Sequence, residues 1–328
     1  MYRIIHQTDP LGGNPNEVVI DTLVCFSTVF TSTVANNLKE TLEEIIDDPF
    51  DNAESSLVCT KWMESGSMSD NYEDDLEMGG PGLAAETAEG TPIPSGTIQE
   101  GYITRYLARK FSLKLMITEE AIEDSKYPQV LSAAKRLKRA LLKTMDIDMT
   151  NILVRATNAA FVGGDGLPLA SNAHTIPGGG TFSNTMAVPM APSVLALTVA
   201  TTQTRLYPGH DGITEGNEPK KVVFPTPQWA VWDVILKSTG APDPGEFNAI
   251  NVANQSLDIT PVPVKYWQNT TTNWALITDA DNGLNYRWRR RPRSRTWIDN
   301  DQEIMNYGIS ARWSRGWSDP RGVLFVDA

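Results

Sequence analysis

Residues 103–153 read ITRYLARKFSLKLMITEEAIEDSKYPQVLSAAKRLKRALLKTMDIDMTNIL, and two hydrophobic periods follow one another within them. Ile103, Leu107, Phe111, Leu113, Leu115 and Ile117 alternate with polar residues at period 2, the pattern of a half-buried strand. About fifteen residues of strand extend roughly 50 Å, further than a compact domain needs; a two-stranded ribbon reaching away from the body would use that length. The period then changes. Val130, Ala134, Leu137, Leu141, Met145, Met149 and Ile152 recur at steps of three and four, one apolar stripe along a helix. Pro128 suits its first turn, where a fixed φ and a missing donor cost nothing. A helix from Pro128 to about Asn158 spans roughly 46 Å, far above the average of about eleven residues, and so serves as a spine on which other elements rest. Lys135, Arg136, Lys138, Arg139 and Lys143 cover much of its other surface.

Upstream, residues 65–96 read SGSMSDNYEDDLEMGGPGLAAETAEGTPIPSG. The stretch is too long for a turn, and long loops are functional or mobile. Charge divides the chain. Residues 61–100 hold nine acids and one base, and residues 1–60 ten acids and two bases. Residues 101–143 reverse this with ten bases and four acids, and residues 287–321 hold nine arginines and four acids. Such asymmetry is either solvated decoration or complementarity between neighbouring copies, where opposed potentials set register.

The whole chain has 328 residues and a formal charge of −12, with 41% hydrophobic residues. That supports a packed core and excludes wholesale disorder. The length suggests two domain-sized units or one core with long excursions. No run of about 18 apolar residues crosses a membrane, and the opening MYRIIHQTDPLGGNP does not read as a secretory signal. Cys25 and Cys59 support neither a disulfide framework nor a zinc site. The acidic total disfavours indiscriminate nucleic-acid binding.

Residues 1–25 read as an arm broken by Pro10, Gly12, Gly13 and Pro15, with Val18, Ile20 and Leu23 apolar enough to dock. A helix is expected over about Ser32–Ile46, stopped by Asp47-Asp48-Pro49. Downstream, residues 193–206 suggest a helix and Lys221–Phe224 a short buried strand. Thr226 is expected to cap a helix with Pro227 at its first position and Val231, Trp232, Ile235 and Leu236 inward. Ile259–Tyr266, Trp274–Thr278, Tyr307–Trp313 and Val323–Val326 read as strands.

Catalytic readings are thin. His174 lies near Asp165 and Ser171, so a hydrolase constellation is conceivable, yet no nucleophile elbow accompanies it; loop structure is the alternative. His210-Asp211 has no second histidine near it to complete a metal site. Gly178-Gly179-Gly180 lacks the Lys-Ser/Thr and leading strand of a phosphate loop. Glu119-Glu120 and Asp74-Asp75 read as helix-start and loop charges. The run Arg287–Arg295, RWRRRPRSR, reads either as phosphate binding through guanidinium forks or, with Tyr286 and Trp288 before it and Thr296–Ile298 after it, as a strand whose arginines pair with acids.

Three segments carry a family resemblance. Residues 103–125 followed by the helix from Pro128, the loop DGLPLASNAHTIPGGGTFSN (165–184), and the closing strands YRWRRRPRSRTWIDNDQEIMNYGISARWSRGWSDPRGVLFV (286–326) together resemble the major capsid protein of tailed bacteriophages, the Hong-Kong-97-like α+β fold shared with encapsulins. The resemblance covers about residues 55–328. It implies an N-terminal arm (1–54), an extended two-stranded loop (55–118), a peripheral domain with the spine helix (119–190 and 286–314) and an axial domain (191–285 and 315–328). It implies pentamers and hexamers tiling an icosahedral head around packaged double-stranded DNA, without catalytic residue, cofactor or metal, in a virion assembled in the host cytoplasm. The expected inter-subunit residues are Asp70, Glu73, Asp74, Asp75, Glu77, Glu86 and Glu89 on the extended loop. Their expected basic partners are Arg105, Arg109, Lys135, Arg136, Lys138, Arg139, Arg289, Arg290 and Arg291, with Val18, Ile20 and Leu23 docking the arm. The chain begins almost at the arm, so a separate scaffold protein, or none, is expected, alongside possible portal and decoration proteins. Lys61 is the only lysine between 61 and 100, which gives no basis for a crosslink. An encapsulin-like nanocompartment, a small hydrolase around His174, and a nucleic-acid-binding module on Arg287–Arg295 stand as alternatives.

Overall fold

The structure, a computed structural model, describes residues 57–328 apart from 81, 97, 99, 119–126, 241–249, 268–271, 300 and 302–303. The arm with Val18, Ile20 and Leu23, the helix expected over Ser32–Ile46, and the Glu119-Glu120 pair lie outside the described residues. In chain order the strands are β1 (Glu64–Ser67), β2 (Tyr72–Met78), β3 (Glu100–Leu107), β4 (Arg109–Thr118), the two-residue β5 (His174–Thr175) and β6 (Thr181–Phe182), β7 (Pro219–Pro225), β8 (Thr260–Val264), β9 (Trp274–Thr278), β10 (Leu284–Asp299), β11 (Ile304–Trp317) and β12 (Val323–Val326). The helices are α1 (Tyr127–Val154), α2 (Val194–Thr204), α3 (Trp229–Lys237) and α4 (Val252–Ser256).

Alternation in β11 buries Met305, Tyr307, Ile309, Ala311 and Trp313 on one face of a sheet ordered β1-β10-β11-β4. Those residues share a core with Ala134, Leu137, Leu141, Met145, Met149 and Ile152, the apolar stripe of α1. Each such large side chain contributes about 1.5–3 kcal/mol by leaving water. Phe111 stacks on Trp313 with ring centroids 4.0 Å apart and planes 4° from parallel, a cross-strand aromatic contact that holds β4 against β11.

A second sheet is ordered β12-β9-β7-β8 and is covered on both faces, so its strands are continuously apolar rather than alternating. Val223, Val262, Ala275, Ile277, Val323 and Phe325 face the spine-helix core. Val222, Phe224, Trp274, Leu276, Leu324 and Val326 face a second core with α2 and α3. Ser193 caps α2 by accepting from the Ala196 amide at 3.0 Å. Thr226 does not cap α3. It opens a 3-10 turn, Thr226–Gln228, and its hydroxyl donates to the Val264 carbonyl at 3.2 Å. Trp232 and Ile235 are buried as expected, whereas Val231 is 47% exposed.

The long strand expected from Ile103 to Ile117 is two strands in two sheets. β3 pairs antiparallel with β2 as a ribbon, while β4 pairs with β11. The break falls at Ala108, whose amide donates to the Asn71 carbonyl at 2.9 Å. Inward-facing parity changes there: Leu115 and Ile117 are buried in β4, but in β3 the buried residue is Tyr106, while Ile103 and Leu107 are 60% and 55% exposed. Period 2 alone cannot report a phase reversal at a small buried residue that fits both frames.

Candidate functional site

The alternation of the acidic run YEDDLEM sorts its side chains between two faces of the ribbon. In register, Tyr72 lies opposite Leu107, Asp74 opposite Arg105 and Leu76 opposite Ile103. These six form the outer face. Its apolar members are well exposed, and Arg105 grips Asp74 through two bonds of 2.6 and 2.7 Å. The guanidinium holds the Asp74 carboxyl below the usual carboxylate range. Arg105 also lies 4.7 Å from the Tyr72 ring centroid.

The inner face carries Glu73, Asp75 and Glu77 to the body. Arg287 reaches Asp75 at 2.8 Å and Glu73 at 3.4 Å, and its guanidinium lies 4.2 Å from the Tyr106 ring centroid. Ser318 Oγ donates to Asp75 at 2.6 Å and meets Tyr106 OH at 2.8 Å. Glu77 receives Arg321 at 2.9 Å. Arg321 also holds Asp319 at 2.9 Å and sits 2.9 Å from His210 Nε2. Burial works against the Arg321 charge, and Asp319 and Glu77 outweigh it, holding the guanidinium above its ordinary value. Burial raises the Asp319 carboxyl despite Arg321. His210 Nε2 also lies 2.7 Å from Glu77, so the histidine belongs to the same charged cluster as Arg321.

Deeper in the body, Asp148 is a hub. It accepts hydrogen bonds from Arg109 at 2.9 Å and from Trp313 Nε1 at 2.9 Å, and forms an ion pair with Arg315 at 3.0 Å. Loss of hydration lowers the Arg315 guanidinium, with Asp148 opposing. His174 is wholly buried: Nδ1 meets Asp165 at 2.5 Å and Nε2 meets the Leu169 carbonyl at 3.2 Å. The Ser171 amide donates to Asn184 Oδ1 at 2.9 Å, and its hydroxyl accepts from the Ala173 amide at 3.3 Å rather than meeting His174. Both ring nitrogens are thus committed to the loop's own fold, and among the described residues no hydroxyl is placed for activation. That loop seats against the ribbon at Gly164, where an added Cβ would lie 2.7 Å from Thr104 Oγ1 and 3.0 Å from the Ile103 carbonyl.

Of the loop acids expected to bridge subunits, Glu73, Asp74, Asp75 and Glu77 have partners inside this chain. Asp70, Glu86 and Glu89 are exposed and have no ion pair among the described residues. Arg105 and Arg109 are likewise engaged internally. Lys135, Arg136 and Arg139 stand exposed on α1 and Lys138 is half-buried. Arg289 and Arg290 are half-buried and Arg291 exposed on β10. Sequence reasoning missed Asp148, Arg315, Arg321 and Asp319. Asp148 could have been found as the one acid set between Met145, Met149 and Ile152 on the apolar side of the helix.

The profile of the phage capsid protein family matches residues 101–326. Among solved structures, the capsid of the cyanophage P-SCSP1u matches with a TM-score of 0.50 at 11% identity, covering 80% of this chain and 85% of that one. The capsid of a native GTA particle, computed with C5 symmetry, matches with a TM-score of 0.50 at 15% identity, covering 83% and 90%. At these identities the likeness is one of fold. No curated protein matches the sequence. With the profile spanning well over half of the chain, the protein belongs to the phage capsid protein family and is a structural, non-enzymatic component of the bacteriophage head.

Proposed function

We propose that the chain is the subunit that tiles pentamers and hexamers into an icosahedral head around packaged double-stranded DNA. The observation that carries this is the ribbon's outer face. Tyr72, Leu76, Ile103 and Leu107 are 52%, 39%, 60% and 55% exposed and pair across the strands, while Leu83 and Ile93 beyond them are 78% and 90% exposed. The two apolar pairs flank the Asp74–Arg105 ion pair, and exposed apolar side chains gathered on a projecting element mark an interaction site. The inner face is already tied to the body by Arg287 and Arg321, so the outer face is the one offered to a neighbour.

In this reading the arm is 1–54. The extended loop, expected over 55–118, ends inward at Ala108, because β4 pairs with the spine-helix sheet. The peripheral domain takes 119–190 and 286–314, and the axial domain 191–285 and 315–328. Asp70, Glu86 and Glu89 on the loop meet Lys135, Arg136, Lys138 and Arg139 of a neighbour's α1, and Val18, Ile20 and Leu23 dock the arm. Each exposed pair contributes only about 0–1 kcal/mol, but a shell repeats it many times. A separate scaffold, portal and decoration proteins and assembly in the host cytoplasm belong to the same proposal.

The test is negative-stain electron microscopy with size-exclusion chromatography on the chain expressed alone and with a co-encoded scaffold. Closed shells, tubes or rings of five and six support the reading. A monodisperse monomer or dimer in every condition refutes it, and protein cargo in place of nucleic acid would move it to a nanocompartment.

A further inference from the structure

The face of the β10-β11-β4 sheet turned away from α1 is a cationic trough. Arg290, Arg312 and Lys110 lie directly opposite one another on three adjacent strands, and Arg295 and Lys114 flank Gly308 two pairs further on. Like charges in directly opposed positions destabilise a sheet. Small residues between the cations, Ser112, Ser310 and Gly308, leave a concavity of about 460 Å³, and no carboxylate among the described residues lines it. Among the described residues the partners these cations have are neutral: Arg290 donates to Ser310 Oγ at 2.9 Å, Lys114 to Asn306 Oδ1 at 3.3 Å, and Arg312 to Asn71 Oδ1. The Arg290 Nε is buried with no acceptor among the described residues. Lost hydration, then repulsion from Arg293, Arg312 and Arg295, lowers the Arg290 guanidinium below its ordinary value.

A neighbour's acidic loop does not fill it well. Glu73, Asp74, Asp75 and Glu77 are already paired in their own chain, and residues 82–96 carry only Glu86 and Glu89. Those two carboxylates, even joined by the exposed Asp70 before β2, leave half of the charge on Lys110, Lys114, Arg290, Arg293, Arg295 and Arg312 uncompensated. A ligand with a dense, regular row of anionic oxygens matches the forks and the hydroxyls between them. We propose that this trough binds the phosphodiester backbone of nucleic acid without regard to sequence. The exposed Trp297, whose ring lies across Gly308, closes one end with an aromatic face on which an unpaired base at a strand end can stack.

The proposal deepens the head-protein reading, since nucleic acid is the cargo of that reading, but it is measured on the unassembled subunit. Loss of shells and loss of phosphate binding are therefore separate results. The experiment is fluorescence anisotropy of a short, labelled, mixed-sequence DNA duplex titrated with the soluble full-length chain. Four phosphate contacts predict roughly a hundredfold weaker binding between about 50 and 200 mM salt. The double variant Arg290→Gln, Arg295→Gln should lower the salt slope by about 1.8. The control Lys135→Gln, Arg136→Gln, which removes equal charge from α1, should leave it unchanged. Thermal melting reports folding; if the first variant melts below the parent, Lys110→Gln with Lys114→Gln replaces it on the same trough. Absence of salt-dependent binding, or equal losses in trough and control variants, overturns the proposal. So does full displacement of the DNA by a peptide of residues 82–96, which would assign the trough to a second copy, or by inorganic phosphate at matched ionic strength, which would make it a small-anion site.

Discussion

Arg287 donates to Asp75 at 2.8 Å across 212 residues of sequence. The pair locks the outgoing strand of the ribbon to the long closing strand, and it fixes which ribbon face is spent on the body. Because side chains alternate, tying Asp75 inward places Asp74, Leu76 and Tyr72 outward. The ribbon's outward face is therefore set by an ion pair within the chain.

Breaking that pair should free the ribbon without unfolding the body. Arg287 and Asp75 are largely buried, with side chains 13% and 22% exposed. Asp75→Asn is expected to cost about 1–3 kcal/mol, the range for a hydrogen bond lost by a partly buried charge. Urea denaturation reads the cost, and hydrogen exchange should show the loss of protection concentrated in 72–78 and 100–107. A double-mutant cycle with Arg287→Gln that shows no coupling would contradict the role given to the pair.

Asp148→Asn should be more damaging. It strips the buried Arg315 of its countercharge and weakens the bonds from Arg109 and Trp313 Nε1. Removing one member of a buried ion pair costs about 3–5 kcal/mol. A melting temperature within a degree or two of the parent would show that Asp148 is not the hub.

Replacing residues 82–96 with a short turn should leave the β2–β3 ribbon intact, since its tethers Glu73, Asp75 and Glu77 all lie outside that segment. The expected outcome is a monomer with the parent's melting temperature that builds no stable shell. Normal shells from this deletion would remove the assembly role of the segment.

High pH should unfold the chain through tyrosines. Burial raises the Tyr106 and Tyr207 phenols, and at Tyr207 the Asp319 carboxylate adds to the effect. The sign follows from a raised folded value: the unfolded chain loses the proton first. The contribution is whole below about pH 10, the ordinary tyrosine value, and is lost as pH climbs above it. In an ultraviolet absorbance titration, at least two of the nine tyrosines, Tyr106 and Tyr207, should ionise only as the fold is lost. Smooth ionisation of all nine while native circular dichroism persists would contradict this.

The elements that bury one uniform face were the legible ones. The apolar stripe of α1 from Ala134 to Ile152 is buried residue by residue, and Trp274–Thr278 and Val323–Val326 are strands with the bounds expected. The ribbon was legible as an excursion but not in detail, because Ala108 switches the strand from one sheet to another while the local alternation continues. The ion pairs were not legible at all. Asp75 and Arg287, or Glu77 and Arg321, meet only because two sheets converge, and no local pattern encodes that. The excess negative charge of residues 61–100 suggested an external partner, yet alternation delivers three of its acids, Glu73, Asp75 and Glu77, to arginines of the same chain. The surplus of positive charge on β10 and β11 is what remains.

The central claim, that the chain tiles with copies of itself through the outer face of its ribbon, is tested most directly by cryo-electron microscopy of the assembled particles. The account predicts fivefold and sixfold clusters in which Tyr72, Leu76, Ile103 and Leu107 of one subunit are covered by the next, with Glu86 and Glu89 beside a neighbouring α1. Particles in which that face stays open to solvent, with the ribbon lying on its own subunit, would contradict it.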